Sequence, residues 1–432
     1  MEEIIKLSPA DGLAGTVNIP GDKSISHRSV MLAGLADTPV KVTNFLHAAD
    51  CRSTIGCMRA LGVTVEQDAA GVLDITGRGF YGLSEPYDVL DAGNSGTTMR
   101  LLTGLLGAQP FFSVMTGDAS LRKRPMARVI TPLAKMGLNI KGREESRYAP
   151  LAITPAEQVH GIEYDMPVAS AQVKSAILLA ALYANSPTII TEPLPSRDHT
   201  ERMFETFGIP VKRIGSSISI EPVKKLTAPE LINIPGDISS AAFWLVAASI
   251  IPNSQLTLVN VGINPTRTGI LDVLKQMGAD ITITNERWSG CEPVADIVVR
   301  SAQLKGIAIG AEIIPRLIDE IPVLAVAALF AEGRTVVQGA EELRVKETDR
   351  LRAVALELGK MGAEITETPD GLIIEGPQKL NAAVCHSHDD HRMAMALAIA
   401  GTASQGVEIE EPDCVKISYP DFYAVLAGLR RD

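Results

Sequence analysis

Apolar positions along the chain fall into two alternating kinds of helical run. Ala-rich runs that are apolar nearly all round start near Ser26, Thr97, Ala171, Ser239, Asp319 and Asp390, at spacings of 71, 74, 68, 80 and 71 residues. Each leads into a strand-like run: VKVTNF, FFSVMT, PTIITE, QLTLVN, RTVVQG and GVEIEE. Between them lie amphipathic runs that end in apolar-Gly-apolar and a short strand, at Gly62, Gly137, Gly208, Gly278 and Gly362. Gly just past a helix enters the left-handed region freely, so these are helix stops. The predicted unit is therefore strand, apolar helix, strand, amphipathic helix, strand pair, repeated six times. Helices that are apolar on every face are buried ones. Three of them are expected to pack together inside each of two domains, with sheets outside. A plain alternation of helix and strand without symmetry would require two independent series to share a period by accident.

A second repeat sits at the half-length. NIPGDKS (Asn18 to Ser24) returns as NIPGDIS (Asn233 to Ser239), with Lys23 replaced by Ile238. Pro-Gly-Asp before an apolar helix is a turn and N-cap signal, and its recurrence marks an internal duplication. A sixth amphipathic helix, PDFYAVLAGL, ends near Gly428 without following strands. The N-terminal segments IIKL and GTVNI read as extended and could supply them. One domain is then built from both chain ends, residues 1–19 plus 237–432, and the other from residues 20–236. The crossovers fall near 18–22 and 233–237, where hinges are expected, with a substrate cleft between the domains.

Composition narrows the class. The 432 residues are 46% hydrophobic and 21% charged, ordinary for a globular protein of this length, for which two domains are the default. No apolar run reaches 18 residues and the N-terminus starts acidic, so neither a membrane span nor a targeting signal is read. Five cysteines without CxxC spacing suggest neither a disulfide framework nor a zinc site, and a cytoplasmic location is expected. A net charge of −11 with 4% aromatic residues argues against a nucleic-acid surface.

Against that acidic background, polar and basic residues collect at the starts of the apolar helices: Lys23, Ser24 and Arg28; Asn94, Ser95 and Gly96; Ser170 and Gln172; Asp237 and Ser239; Asp319; Asp390, His391 and Arg392. Parallel helices would gather free N–H groups and positive dipole ends at one face, suited to an anion. Basic residues also precede most second helices: Arg52, Arg124, Arg197, Arg267, Arg350 and Lys416. Singly, each motif has an ordinary reading. GNSGTTMR is a phosphate loop or a simple turn, SLRKRPM a ligand loop or a solvated one, and SAQVKSA a site or an N-capped core helix. DHR at 390–392 could be a buried network, and RVKETDRLR the charged face of a helix start. A metal at His388 is disfavoured.

Together GDKSISHR, GNSGTTMR, KRPM, SAQVKSA, SRDHTERM, PGDISSAAF, LIDEIP, KETDR and DHRMAMALA resemble the 3-phosphoshikimate 1-carboxyvinyltransferases, also called 5-enolpyruvylshikimate-3-phosphate synthases, from about Lys6 to the last helix. The resemblance implies an α/β fold of two similar domains, each of three βαβαββ units with buried helices and outer sheets, an inverse α/β barrel. It implies transfer of the enolpyruvyl group of phosphoenolpyruvate to the 5-hydroxyl of 3-phosphoshikimate, with no metal or organic cofactor and as a monomer. By motif position, Asp319 is implied as the base, Glu347 as the group exchanging the methylene proton, and Lys23 as the stabiliser of the departing phosphate. Lys23, Gly96, Arg124, Gln172, Arg350, Arg392 and Lys416 are implied to hold phosphoenolpyruvate. For 3-phosphoshikimate the implied set is Lys23, Ser24, Arg28, Ser170, Gln172, Arg197, Asp319 and Lys346.

Three positions depart from the family pattern. Ala171 stands where many members have a second serine, Arg197 is offered as only some do, and Leu101 replaces a common proline. Gly96 leaves room for the inhibitor glyphosate, so sensitivity is the expectation. A UDP-N-acetylglucosamine enolpyruvyl transferase would carry a cysteine in the loop near position 120, and GDASLRKRPM has none. A nucleic-acid clamp would need basic inward helices, whereas these are apolar.

Overall fold

The computed structural model describes residues 4–431. All six Ala-rich runs fold as helices: Lys23–Gly34, Gly96–Gly107, Ala171–Ala181, Ile238–Ile250, Ile321–Phe330 and His391–Thr402. The fifth differs from expectation at its start. Pro322 occupies its first turn, and Asp319 lies just ahead in the 3-10 turn Ile318–Glu320 instead of capping the helix. Proline suits that turn because it has no N–H to leave unsatisfied. The amphipathic helices are Ala49–Ala60, Ala127–Lys135, His199–Thr206, Gly269–Gln276, Arg350–Lys360 and Phe422–Leu429. The five expected stop glycines all have φ between 73° and 95°.

The second, third and fifth repeats each contribute one open sheet with the same wiring. In the second, Leu90–Asp91 runs parallel to Ser113–Thr116, which pairs antiparallel with Tyr148–Thr154, which in turn pairs antiparallel with Asn139–Gly142. Among the described residues the six sheets have three to five strands. Helices fill the interior against them, and apolar side chains form two separate cores.

The two NIPGD copies break this wiring reciprocally. A strand that precedes a buried helix elsewhere pairs with the strand following that same helix. Gly12–Asn18 precedes Lys23–Gly34, yet it pairs with Gln255–Gly262, which follows Ile238–Ile250. Leu231–Asn233 precedes Ile238–Ile250, yet it pairs with Val40–Thr43, which follows Lys23–Gly34. The duplicated halves have thus exchanged one strand each. Of the two N-terminal segments expected to complete the last repeat, Ile4–Leu7 does so, pairing antiparallel with Val407–Glu410, while Gly12–Asn18 joins the sheet of Gln255–Gly262 instead.

The chain divides into two units, one holding residues up to Pro20, Pro235–Trp288 and Pro293 onward, the other Gly21–Ile234 and Ser289–Glu292. Relative to the sequence reading, Pro20, Pro235 and Gly236 change sides, and the tip of the hairpin Asp280–Ser289/Glu292–Arg300 forms an additional crossing. Polar contacts explain why the tip belongs with the second unit. Ser289 Oγ donates to Asn233 O at 2.7 Å, Arg202 Nη1 donates to Cys291 O at 2.9 Å, and His199 Nδ1 lies 2.7 Å from Glu292 Oε1.

Candidate active site

In the second unit the expected residues sit at three helix starts. Asp22 caps Lys23–Gly34 by accepting from Ile25 N at 2.9 Å, Ser95 caps Gly96–Gly107, and Ser170 caps Ala171–Ala181. Lys23 Nζ is 3.1 Å from Asp50 Oδ2, a buried carboxylate that holds the ammonium in place. Around Gly96 three polar side chains converge. Arg124 and Arg100 both approach closely, the nitrogens standing 3.5 and 3.0 Å from where a Cβ on Gly96 would be. Arg124 Nη2 donates to Asn94 Oδ1 at 2.7 Å, Arg100 Nη1 donates to Gln172 Oε1, and Gln172 Nε2 donates to Thr97 Oγ1 at 3.1 Å. A side chain here would meet two guanidinium groups.

Arg28 is buried and braces three elements. It donates to Ser24 O at 2.9 Å, Thr200 Oγ1 at 2.7 Å and Ser175 Oγ at 2.7 Å. Arg197 lies on the loop between Thr188–Thr191 and His199–Thr206, half-buried. Behind Lys23, His27 is fully buried, with Nδ1 2.6 Å from Thr54 Oγ1, and Thr54 in turn reaches Thr98 Oγ1 at 2.7 Å. Burial, then Lys23 and Arg28, hold the His27 pKa well below its usual value, so it stays neutral.

The first unit gathers its charges around one guanidinium. Arg350, 1% exposed at its side chain, bonds Asp390 through Nε at 2.7 Å, Asp319 through Nη1 at 3.2 Å and Glu347 through Nη2 at 2.7 Å. Burial alone would lower its pKa; Asp390, Glu347 and Asp319 raise it instead. Lys346 Nζ is 3.5 Å from Asp319 Oδ1, and Arg392 Nη1 donates to Asp319 O at 3.2 Å. Asp319, Lys346, Glu347, Arg350 and Arg392 therefore form one connected group. Lys416 sits on the 3-10 turn Pro412–Ile417 and pairs with Asp413 at 2.5 Å, with 60% of its side chain exposed.

Two readings from the sequence need revision. Arg52 lies inside Ala49–Ala60 and is exposed instead of preceding the helix, because the helix starts at Ala49. Arg267, read as one of the anion-binding bases, is a buried brace, donating to Asp237 Oδ1 at 2.9 Å and Ser239 Oγ at 2.8 Å. Conversely, Asp50, Arg100 and Asp390 join the clusters although none was singled out as a site residue. Arg100 had a local signal in its position one helical turn beyond Gly96, and Asp390 in the DHR motif at a helix start. His388, where a metal was disfavoured, has Nε2 2.8 Å from Glu357 Oε1. Among the described residues no group of three or more His, Cys, Asp or Glu side chains is arranged to hold a metal ion, and no helix is long and apolar enough to cross a membrane.

Residues 7–426 match the family profile described as EPSP synthase (3-phosphoshikimate 1-carboxyvinyltransferase). A relative named 3-phosphoshikimate 1-carboxyvinyltransferase, from Desulforudis audaxviator, is 56% identical over 427 residues, 99% of each chain. Among solved structures, an EPSP synthase from Acinetobacter baumannii superposes with a TM-score of 0.89 at 46% identity, covering 100% of this chain and 98% of that one. The enolpyruvyl transferase NikO from Streptomyces tendae, at 17% identity and a TM-score of 0.81 over 99% of this chain and 98% of its own, shares the fold. With a profile match over almost its whole length and a relative of this similarity, the chain belongs to the EPSP synthase (3-phosphoshikimate 1-carboxyvinyltransferase) family.

Proposed function

We propose that this protein transfers the enolpyruvyl group of phosphoenolpyruvate to the 5-hydroxyl of 3-phosphoshikimate, releasing phosphate, in the shikimate route to aromatic amino acids. The observation that carries the reading is the pair Asp319 and Glu347, both bonded to the buried Arg350. The reaction needs two proton-handling groups near fixed cations, because protonating the methylene carbon of phosphoenolpyruvate makes its neighbour cationic. Asp319 takes the proton of the 5-hydroxyl as its oxygen adds to that carbon. Glu347 delivers the methylene proton and removes one again when the carbon–oxygen bond to phosphate breaks. Lys23 neutralises charge on the departing phosphate.

Arg124, Arg350, Arg392 and Lys416, with Lys23, Gln172 and the Gly96 backbone, hold phosphoenolpyruvate, since guanidinium forks suit carboxylate and phosphate. Ser24, Arg28, Ser170, Gln172, Arg197 and Lys346, with Lys23 and Asp319, hold 3-phosphoshikimate. The side chains supply acid, base and charge neutralisation themselves, so no metal or organic cofactor is assigned. Five cysteines, none in a disulfide, fit the reducing cytoplasm. One chain carries both clusters, so a monomer suffices. Phosphate release with 3-phosphoshikimate and phosphoenolpyruvate together, and with neither alone, is the expected result. Release only when UDP-N-acetylglucosamine replaces 3-phosphoshikimate would overturn the reading.

A further inference from the structure

Lys174 is a charged residue deep in the second unit that the proposed reaction does not use. It lies in the first turns of Ala171–Ala181, just beyond Ser170 and Gln172, and its side chain is 1% exposed. A buried ammonium is costly unless its donors are satisfied. Here Nζ lies 2.7 Å from Glu201 Oε1 and 2.9 Å from Glu192 Oε2, and it donates to Ser196 O at 3.4 Å. Glu192 and Glu201 are themselves buried. Burial opposes the charge on Lys174, and the two carboxylates more than offset it, so the ammonium stays protonated.

These partners enclose one segment. Glu192 to Thr200 reads EPLPSRDHT and carries Arg197. Pro193 and Pro195 remove two backbone donors, so the segment cannot hold itself by a regular ladder of its own. It is held by side chains instead, its own Glu192 and those of the helix beside it. Glu192 Oε1 accepts from Ser196 N at 3.3 Å and also from Ser196 Oγ, while Lys174 takes the Ser196 carbonyl. At the far end Thr200 Oγ1 lies 2.6 Å from Ser175 Oγ and accepts from Arg28 Nε at 2.7 Å. Two consecutive residues of one helix, Lys174 and Ser175, thus hold both ends of the loop and the residue next to Arg197.

We infer that Lys174, with Glu192 and Glu201, is a positioning residue that sets the place of Arg197 relative to Ser170 and Gln172, and so tunes recognition of the 3-phosphoshikimate phosphate. The inference rests on Arg197 being a ligand for that substrate, as proposed above. A helix start and an arginine on a proline-rich loop bind one phosphate well only when their separation is fixed. Lys174 touches no substrate in this scheme and takes no part in proton transfer.

Lys174→Met with Glu201→Gln tests this, because it removes the tether together with one formal charge of each sign. The expected result is a rise of about 10- to 100-fold in KM for 3-phosphoshikimate, with kcat and the phosphoenolpyruvate KM changed less than about threefold. In an Arg197→Ala background the same pair of substitutions should add less than about twofold, since both act through one contact. An unchanged KM for 3-phosphoshikimate, equal losses for both substrates, or full additivity with Arg197→Ala would overturn the positioning role. Should the pair not fold, Ser196→Ala removes only the hydroxyl tie and should raise the same KM about 3- to 10-fold; no rise would overturn the role equally. Arg197→Ala alone separates the two levels. If it leaves the 3-phosphoshikimate KM unchanged, the ligand assignment of Arg197 fails first and the inference with it.

Discussion

Arg350 grips both carboxylate oxygens of Asp390, with Nε 2.7 Å from Oδ2 and Nη2 3.2 Å from Oδ1. Asp390 is fully buried and also caps His391–Thr402 by accepting from Arg392 N at 2.9 Å. One carboxylate therefore orients the Arg350 guanidinium and fixes the backbone at Arg392, both assigned to phosphoenolpyruvate. Asp390→Asn would keep the shape and lose the charge beneath Arg350. Breaking a buried pair in this way costs about 3–5 kcal/mol. Denaturant unfolding should show that loss, and the KM for phosphoenolpyruvate should rise more than that for 3-phosphoshikimate.

The two carboxylates proposed as base and proton donor should fail differently. Glu347→Gln is expected to lower turnover by roughly two to four orders of magnitude while leaving 3-phosphoshikimate binding nearly unaffected. Asp319→Asn should lower turnover and also weaken that ligand by about 1–3 kcal/mol, because Asp319 is assigned to its hydroxyl. Turnover assays and calorimetric titration with 3-phosphoshikimate measure both effects. Near-full turnover in Glu347→Gln would return Glu347 to an ordinary residue before a helix and shift the proton chemistry towards Lys23.

His27 gives the fold an acid-side weakness. Its pKa in the folded protein is held well below the usual value of 6.5 by burial and by Lys23 and Arg28. Below about pH 6.5 the unfolded chain binds a proton that the folded chain refuses, so stability present above that pH is lost as pH falls. The slope is at most about 1.4 kcal/mol per pH unit for one proton. His27→Asn, which can still bond Thr54, should flatten the fall between pH 6.5 and 5. Parallel thermal melts of the two proteins across that range check it; identical slopes would show that His27 contributes nothing.

Helix contact sets a steric limit at Gly104. A Cβ there would lie 2.1 Å from Ala176 O, within the packing of Gly96–Gly107 against Ala171–Ala181. Gly104→Ala should force the helices apart and cost about 1–3 kcal/mol despite the better helix propensity of alanine. Because both helix starts carry residues proposed for the site, the KM values should rise as stability falls. A variant as stable as the parent would mean the helices separate without strain.

Much of the architecture was legible along the chain because it is written in local rules. A glycine after each amphipathic helix, a run with no polar face, and an aspartate ahead of an apolar helix each act within a turn or two. The six repeats follow from those signals, and so do the helix starts where Lys23, Gly96, Ser170 and Asp390 stand. Sequence motifs also brought Asp319, Glu347, Arg350 and Arg392 onto one short roster, and they do meet.

What lay beyond reach were pairings between residues far apart in sequence. That Gly12–Asn18 pairs with Gln255–Gly262, instead of supplying a strand to the last repeat, could not be read from the sequence, since strand pairing depends on which sheet edge a segment meets. Arg267 looked like its counterparts Arg124 and Arg350, yet Asp237 and Ser239 turn it into a brace. Lys174 reads as one polar residue in an apolar helix until Glu192 and Glu201 close around it. A charge acquires its role from what lies within a few ångströms of it, and those neighbours are set by packing, not by spacing along the chain.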